Sequence, residues 1–204
     1  MLATSAEKPF DRAGWLFELK YDGFRVLALH QEERARVLSR RGNDLSDCFP
    51  EIIASLRALP DLVLDGELVV LDEHGKPQFE RLRRRALLKK QSSVAQAVRT
   101  EPAALFAFDL LMLRGKDMRK LPLVKRKQAL QKALAQSGRI RSVQHVGEMG
   151  QRLYEAACGL NLEGIVAKRA DSLYIAGRSR DWIKIRTPEG REMQDRRSEE
   201  WSPG

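Results

Sequence analysis

A short charged segment, Glu18 to Arg25, separates two apolar segments near the start of the chain. Residues 15–17 precede it, residues 26–29 follow it, and Asp22-Gly23 within it is typical of tight turns. The pattern predicts a strand, a short loop and a second strand, with Lys20 where the first strand ends. By the local pattern alone, the segment is a hairpin that carries solvated charges.

A lysine at such a turn can also serve as a nucleophile. A free lysine amine has a pKa of about 10.4, so only about one in a thousand is neutral near pH 7.5. Burial or neighbouring positive charge can lower such a pKa to about 8, at a cost of roughly 3 kcal/mol. Asp22 is placed to bind a metal or a ribose, and Arg25 to bind an anionic group.

Length and charge restrict the class of protein. The 204 residues suffice for one sizeable domain or two small ones, and a hydrophobic content of 43% is typical of a globular chain. The formal net charge of +9 favours polyanionic partners, of which nucleic acid is the simplest, although charge also serves solubility.

Several common kinds of site are excluded because their motifs are missing. Cys48 and Cys158 have no metal-binding spacing, and the three histidines lie far apart in the sequence. Neither GxxxxGK[ST] nor GxGxxG is present, so side chains would have to hold the phosphates of a bound nucleotide. No apolar run approaches 18 residues and no signal core opens the chain, so we expect a cytoplasmic protein without membrane contact.

Apolar periodicity predicts a mixture of strands and helices. Helices are expected at residues 50–59, 79–90, 123–137 and 149–158. Strands are expected at residues 36–39, 104–113, 140–146, 164–169 and 179–186. Residues 62–71 are interpreted as two strands joined at Asp65-Gly66-Glu67, residues 91–102 as a helix end and loop, and residues 189–204 as a disordered tail.

Two acidic residues stand directly beside apolar β-rich segments. Glu67 precedes the apolar residues 68–71, and Glu163 stands at the start of an apolar strand. A turn with solvated acids is one interpretation, because Asp-Gly sequences are common in turns. We favour the other interpretation, in which these carboxylates point into an interior cleft.

Positive charge is concentrated in two places. The predicted helix at residues 79–90 carries Arg81, Arg83, Arg84, Arg85, Lys89 and Lys90. Such a run is usually a solvated face, but repulsion between like charges weakens the helix unless an anion is bound, so we interpret the four arginines as contacts to nucleic-acid phosphates. In residues 179–186, strict alternation places Trp182, Lys184 and Arg186 on one face of a strand.

Six segments resemble, in order, the motifs of the adenylation domain of ATP-dependent DNA ligases. They are Lys20–Arg25, Ser39-Arg40, Asp65-Gly66-Glu67, Phe108-Asp109, Glu163–Lys168 and Trp182–Arg186. The resemblance runs from about residue 8 to residue 188 and is greatest to bacterial end-joining ligases of the ligase D type. It implies an α+β ligase-type nucleotidyltransferase (adenylation) domain over residues 1–188, with antiparallel sheets flanked by helices and a central nucleotide cleft.

The resemblance also implies a role for each matching residue. Lys20 would take AMP from ATP as a phosphoramidate, with Lys184 and Arg186 at the α-phosphate. Mg²⁺ would be held near Asp22 and Glu163, because hard oxygen ligands suit this ion. The residues implied to bind the nucleotide are Glu18 at the adenine amino group, Arg25 at the ribose or nick phosphate, Arg40 and Glu67 at the ribose, and Phe108 and Val166 on the two faces of adenine.

The implied activity is ATP-dependent DNA ligation in repair and end joining. AMP passes from the lysine to a 5′-phosphate, and a 3′-hydroxyl then seals the nick. The implied partners are nicked or broken duplex DNA and repair proteins, with the chain itself a monomer. RNA ligation, or a non-catalytic nucleic-acid-binding module that keeps the fold, are the alternatives.

The chain departs from the family pattern in three respects. Nineteen residues precede Lys20, so no N-terminal DNA-binding domain is expected. Arg186 stands where the family has lysine, and its planar guanidinium is bulkier than a compact ammonium. Too few residues follow Lys184 for the OB domain of family ligases. We therefore expect the chain to need an OB domain or a partner in trans, to use ATP slowly, and to seal pre-adenylated nicks relatively better.

Overall fold

The computed structural model describes the backbone of residues 1–200 and the side chains of residues 1–195. Its strands are β1 Leu2–Ala6, β2 Trp15–Lys20, β3 Phe24–Gln31, β4 Arg34–Ser39, β5 Leu62–Val70, β6 Ala103–Leu113, β7 Lys116–Asp117, β8 Ile140–Ser142, β9 His145–Gly147, β10 Gly164–Arg169 and β11 Arg178–Arg186. Its helices are α1 Pro50–Arg57, α2 Phe79–Ala86, α3 Gln91–Thr100, α4 Leu123–Ala133, α5 Gly150–Gly159 and α6 Pro188–Glu200. The predicted α+β class, with mainly antiparallel sheets, is confirmed.

The chain forms two compact units. The first unit contains Met1–Tyr21 and Gln144–Gly204, and the second contains Asp22–Val143. The chain passes from one unit to the other after Tyr21 and again after Val143. The first motif is therefore divided, with Lys20 in the first unit and Asp22 in the second.

The first unit is built on a five-stranded sheet with the order β1-β11-β10-β2-β9. Neighbouring strands are antiparallel except β1, which runs parallel to β11. Phe17, Ile165 and Ile185 are buried on one face, where they form a core with residues of α5. Side chains alternate between the two faces of a strand, so Glu18 and Lys20 lie on the face opposite to that of Phe17.

The second unit is built on a sheet with the order β4-β3-β5-β6-β7, to which β8 adds in parallel beside β6. One face of this sheet buries Val26, Leu64 and Leu105 in the larger core, together with residues of α1 and α4. Because side chains alternate along β3 and β5, Arg25 and Glu67 lie on the opposite face of this sheet.

The predicted hairpin around Asp22-Gly23 is wrong, although the strand, loop and strand are present. β2 pairs with β10 and β9 on its two edges, and β3 pairs with β4 and β5 on its two edges. Neither strand therefore has an edge left for the other. The two strands belong to different sheets.

Residues 62–70 form one continuous strand, β5, instead of two strands joined at Asp65-Gly66-Glu67. Gly66 permits close approach of β6, because a Cβ at this position would lie only 2.9 Å from the carbonyl oxygen of Phe106. With no turn between them, Asp65 and Glu67 lie two residues apart on one strand and share a face.

Two other predicted elements are divided in the structure. The helix expected at residues 79–90 ends at Ala86, and Gln91–Thr100 form a separate helix with Val94 and Ala97 buried at helical spacing. The strand expected at residues 140–146 is two strands, because β8 pairs with β6 in the second unit and β9 pairs with β2 in the first.

Residues 188–200 form helix α6, where the sequence analysis expects a disordered tail from residue 189. The Thr187 hydroxyl accepts a hydrogen bond from the Gly190 amide (3.0 Å), and Pro188 occupies the first turn, as is typical of helix starts. Residues 201–204 of the predicted tail lie outside the described residues. Across residues 1–200, every helix is too short or too polar to cross a lipid bilayer.

Candidate active site

Three neighbouring strands of the first unit bring the predicted catalytic residues onto one face. The register of β2, β10 and β11 places residues in three rows: Lys20, Gly164 and Arg186; Glu18, Val166 and Lys184; and Leu16, Lys168 and Trp182. Residues directly opposite one another on neighbouring strands point to the same side of a sheet. Lys20, Lys184 and Arg186, which are far apart in sequence, therefore share one surface.

Glu163 is the acidic residue around which these cations are grouped. Its side chain is only 7% exposed, and its Oε2 accepts a hydrogen bond from the Lys20 Nζ at 2.5 Å. Its other oxygen, Oε1, lies 3.5 Å from Nε of Arg186. Glu163 thus holds the lysine and the arginine together on the face.

Gly164 places Glu163 at the start of β10. Its φ of +148° is rarely adopted by side-chain-bearing residues, and a Cβ would lie 2.2 Å from the carbonyl oxygen of Ile185. The backbone of β10 therefore lies against β11 more closely than any other residue would allow. The Thr187 amide donates a hydrogen bond to the Glu163 carbonyl oxygen at 3.2 Å, which also fixes the position of Glu163.

Lys184 is held in an unfavourable electrostatic environment. Burial lowers its pKa below the ordinary value of 10.5, and Arg186, Lys20 and Arg178 lower it further, while Glu163 acts in the opposite direction. An ammonium surrounded in this way gains most from a bound anion, because an anion would compensate both the lost hydration and the repulsion. This face is therefore suited to bind a polyphosphate.

The lowered pKa of Lys184 leads to a prediction about stability and pH. Between the lowered pKa and 10.5 the unfolded chain binds more protons at this site than the folded chain, so stability rises with pH in that window. Below the window, charged Lys184 destabilises the fold. Lys184→Met should therefore raise the thermal midpoint at pH 7, and this advantage should shrink as the pH approaches 10.5.

The control for this comparison is Lys8→Met, which removes an exposed positive charge from the same unit. Thermal melts of the three proteins from pH 7 to pH 10 measure the effect. Equal midpoint changes for Lys184→Met and Lys8→Met at every pH would contradict the proposed origin of the instability.

Glu18 and Lys168 form a buried ion pair on the same face. Both side chains are 2% exposed, and the Lys168 Nζ donates to Oε2 of Glu18 at 2.7 Å. The Trp182 ring covers the ammonium, with 4.1 Å between Nζ and the ring centroid. The sequence analysis assigned Glu18 to adenine but gave Lys168 no role. The alternation of β10, which puts Lys168 on the face of Val166, is the signal that could have identified it.

In the second unit, Arg25 and Asp65 form a bidentate pair on the face opposite the core. The Arg25 Nε and Nη2 donate to the two Asp65 oxygens at 2.9 and 2.6 Å. Glu67 lies opposite Arg25 in the register of β3 and β5, and the Arg25 guanidinium lies 5.4 Å from the Phe108 ring centroid. Three residues predicted to bind the nucleotide thus lie together, with Asp65 as an additional member.

Phe108 is the extra residue of a β-bulge. Asp65 pairs with Asp109 and Gly66 with Ala107, so Phe108 has no partner in the register of β5 and β6. Bulges redirect side chains and occur frequently beside active sites. The next residue, Asp109, is fully buried and accepts two hydrogen bonds from Arg126 of α4, at 2.7 and 2.8 Å. Arg126 therefore anchors the bulge through Asp109.

The remaining predicted nucleotide and metal residues are less constrained. Arg40 is exposed in the turn that follows β4, Asp22 is partly buried in the loop that precedes β3, and Val166 is partly buried in β10. In residues 1–195, no group of three or more histidine, cysteine, aspartate or glutamate side chains could hold a metal ion.

The four arginines of α2 do not form one surface. Arg83 and Arg84 are exposed, and Arg81 is partly buried. Glu101 lies near Arg81 and Arg84, and Glu80 pairs with Arg83. Arg85 is 1% exposed and binds Glu51 and the carbonyl oxygens of Cys48 (2.8 Å) and Glu101 (2.9 Å). Its expected contact with nucleic acid is therefore wrong, because its guanidinium is already used inside the second unit.

The family model for the ATP dependent DNA ligase domain matches residues 1–186, and the chain belongs to this family. This finding confirms the resemblance inferred from the six motifs.

Individual relatives agree with the family. The multifunctional non-homologous end joining protein LigD of Pseudomonas aeruginosa is 35% identical over 91% of this chain and 21% of its own length. A DNA ligase of Thermococcus fumicolans is 32% identical over 83% of this chain and 32% of its own length. The chain thus spans between about a fifth and a third of these relatives.

Solved structures show the same fold. A mycobacterial DNA ligase D complexed with ATP and MES matches 91% of this chain and 59% of its own chain, with a TM-score of 0.75 and 29% identity. An archaeal ATP-dependent RNA ligase matches with a TM-score of 0.51 and 15% identity, which shows similarity of fold alone. The RNA ligase alternative is therefore less supported than the DNA ligase.

Proposed function

We propose that this chain is the adenylation part of an ATP-dependent DNA ligase, with Lys20 as the residue that becomes adenylated. The observation that carries the proposal is the position of the Lys20 amine, 2.5 Å from Glu163 on a face that also holds Lys184 and Arg186. A nucleophile beside cations suits attack on a phosphate, where catalysis consists mainly of positioning and charge neutralisation.

The proposed first step forms a nitrogen–phosphorus bond between Lys20 and the α-phosphate of ATP. The phosphorus–oxygen bond to pyrophosphate breaks, and the amine gives up its proton. Lys184 and Arg186 neutralise charge on the α-phosphate, and the instability of charged Lys184 in the free chain favours this contact. AMP then passes to a 5′-phosphate of DNA, and attack by a 3′-hydroxyl joins the strands and releases AMP.

Glu163 fits a role in holding Mg²⁺. Its two carboxylate oxygens are hard ligands, and Mg²⁺ is usually bound by one or two carboxylates together with substrate phosphates and water. Lys20 donates a hydrogen bond to one of these oxygens, and Arg186 lies 3.5 Å from the other, so both cations lie beside the carboxylate. The ion would supply neutralisation of phosphate charge. The expected role of Asp22 as a second ligand stays a prediction.

The residues grouped in the second unit stay predicted nucleotide contacts. Arg25, Glu67 and Phe108 share one face, as a site for a ribose and a base requires, and Asp65 orients Arg25 through two hydrogen bonds. Arg40 at the ribose and Val166 beside adenine rest on the resemblance alone. DNA, repair proteins or an OB domain in trans as partners, the monomeric state and the cytoplasmic location also stay predictions.

Labelled ATP provides the test of the proposed function. The chain is incubated with ATP labelled at the α-phosphate and Mg²⁺, denatured, and analysed for acid-labile label that remains with the protein. Nicked duplex DNA is then added to the native adduct. We expect label on the protein and its transfer to the DNA 5′ end; folded protein that acquires no label would contradict the proposal.

Exposed arginines of α2 are proposed to contact the DNA backbone. Arg83→Ala combined with Arg84→Ala should weaken duplex binding and reduce the slope of log affinity against log salt by about 0.9 for each lost contact. The charge-matched control is Lys125→Ala with Lys132→Ala, two exposed lysines of α4. Equal slopes for both double variants would show that the α2 arginines form a solvated face and do not contact DNA.

A further inference from the structure

Lys168 is a lysine that the fold buries together with its counter-ion. Lysine is almost never fully buried unless paired, and two charges removed from water cost several kcal/mol each before their attraction is counted. Here both Lys168 and Glu18 are 2% exposed. Such a pair contributes little to stability compared with apolar side chains of the same volume, so its presence points to a role other than stability.

The surroundings of Lys168 hold its ammonium in one position. It donates to Glu18 at 2.7 Å and lies 4.1 Å from the centroid of the Trp182 ring, an arrangement that favours a cation. Tyr174 packs edge-on against Trp182, with 6.1 Å between ring centroids. Across the strands, Lys168 lies opposite both Leu16 and Trp182, so it reaches diagonally to Glu18.

Glu18 lies close to the nucleophile on the same face. It precedes Lys20 by two residues in β2, so their Cα atoms are separated by about 7 Å along the strand. An ionised carboxylate can only accept hydrogen bonds. Adenine presents an amino donor at its sixth position, whereas guanine presents a carbonyl acceptor there. A fixed Glu18 carboxylate would therefore accept from adenine and repel guanine.

We propose that Lys168 is a positioning residue that sets the choice of adenine over guanine by fixing the Glu18 carboxylate. The proposal rests on the proposed use of a nucleotide by this face, and on the expected contact between Glu18 and the base. Lys168 does not touch the base; it holds the carboxylate in its ionised, accepting orientation. Loss of Lys168 allows Glu18 to turn or to take up a proton, and a protonated carboxyl can donate to guanine.

Equilibrium binding tests this role separately from chemistry. Dissociation constants for ATP and GTP with Mg²⁺ are measured in a Lys20→Met background, which cannot form an adduct. Addition of Lys168→Met should reduce the preference for ATP over GTP by about tenfold or more, the effect of one hydrogen bond to a charged group. Lys168→Arg should retain part of the preference, because it keeps the positive charge.

A second variant provides a test that does not depend on the folding of Lys168→Met, because Lys168→Met leaves the Glu18 charge buried without its partner. The double variant Glu18→Gln, Lys168→Met contains no buried charge at this position and should fold with an unchanged circular dichroism spectrum. Its amide can accept from adenine or donate to guanine, so we expect nearly equal affinities. An unchanged ATP to GTP ratio in folded Lys168→Met, or in the double variant, would overturn the inference.

The same design distinguishes this inference from the proposed function. If the native chain forms no covalent AMP but the binding ratio depends on Lys168, the proposed ligase activity fails and the role of Lys168 stands. If covalent AMP forms and the ratio is independent of Lys168, the activity stands and the role of Lys168 fails.

Discussion

Glu163→Gln is expected to lower the rate of Lys20 adenylation by about 10²- to 10³-fold. The substitution keeps the shape of the side chain but removes the charge that holds Lys20 at 2.5 Å and lies 3.5 Å from Arg186. It also removes the carboxylate proposed to bind Mg²⁺. Losses of this size, about 2.7 to 4 kcal/mol, are typical when one preorganised electrostatic group is removed from an active site.

The measurement is the initial rate of covalent AMP formation at saturating Mg²⁺, with folding checked by circular dichroism. Glu155→Gln is the matched control, because Glu155 is an exposed acid of α5 in the same unit. It should react at the native rate. Equal rates for the two variants would make Glu163 a structural residue and remove it from the mechanism.

Arg126→Met is expected to destabilise the fold by about 3 to 5 kcal/mol, the usual cost of an uncompensated buried charge. Arg126 and Asp109 are both 0% exposed, and the two hydrogen bonds between them join α4 to β6. For a chain of this size the loss corresponds to a midpoint lower by roughly 6 to 20 °C in thermal melts.

Arg119→Met provides the comparison for Arg126→Met, because it breaks an Arg–Asp pair with similar geometry on the surface. Arg119 binds Asp117 at 3.0 Å through two nitrogens, and both side chains are exposed. The thermal midpoint of Arg119→Met should hardly differ from that of the native chain, since exposed ion pairs contribute little to stability. The double variant Asp109→Leu, Arg126→Met should recover much of the loss, because no charge stays buried. Similar midpoints for Arg119→Met and Arg126→Met would contradict this account.

The local pattern of apolar residues was sufficient to predict those strands and helices whose pattern lies entirely within the element. The apolar run at residues 104–113 and the alternation at residues 179–186 both appear as the expected strands, β6 and β11. Pro50 and the helical spacing that follows it correspond to α1. The hairpin at Asp22-Gly23 failed because turn chemistry is local, whereas the pairing of β3 depends on β4 and β5.

The candidate site was predictable only in part. Motif order identified Lys20, Glu163, Lys184 and Arg186, which the register of the first sheet brings together. Which arginine of α2 is buried could not be read from the sequence, because the partners of Arg85, among them Glu51 and the Phe49 ring, lie far from it in the chain.

The bulge at Phe108 shows a second limit of sequence patterns. A bulge is a mismatch between two strands, so it depends on how β5 and β6 are aligned and not on either strand alone. The role of Arg126 has the same origin, since nothing around it in the sequence indicates its pairing with Asp109 in β6.

The central claim, that Lys20 is the residue that carries AMP, is tested most directly by locating the modification. The chain is incubated with ATP and Mg²⁺, digested under conditions that preserve the phosphoramidate, and the peptides are sequenced by mass spectrometry. We expect AMP on the peptide that contains Lys20, and on no peptide of a Lys20→Met sample treated in parallel. AMP on Lys184, Lys168 or any other residue of the native chain, or its persistence in Lys20→Met, would contradict the account.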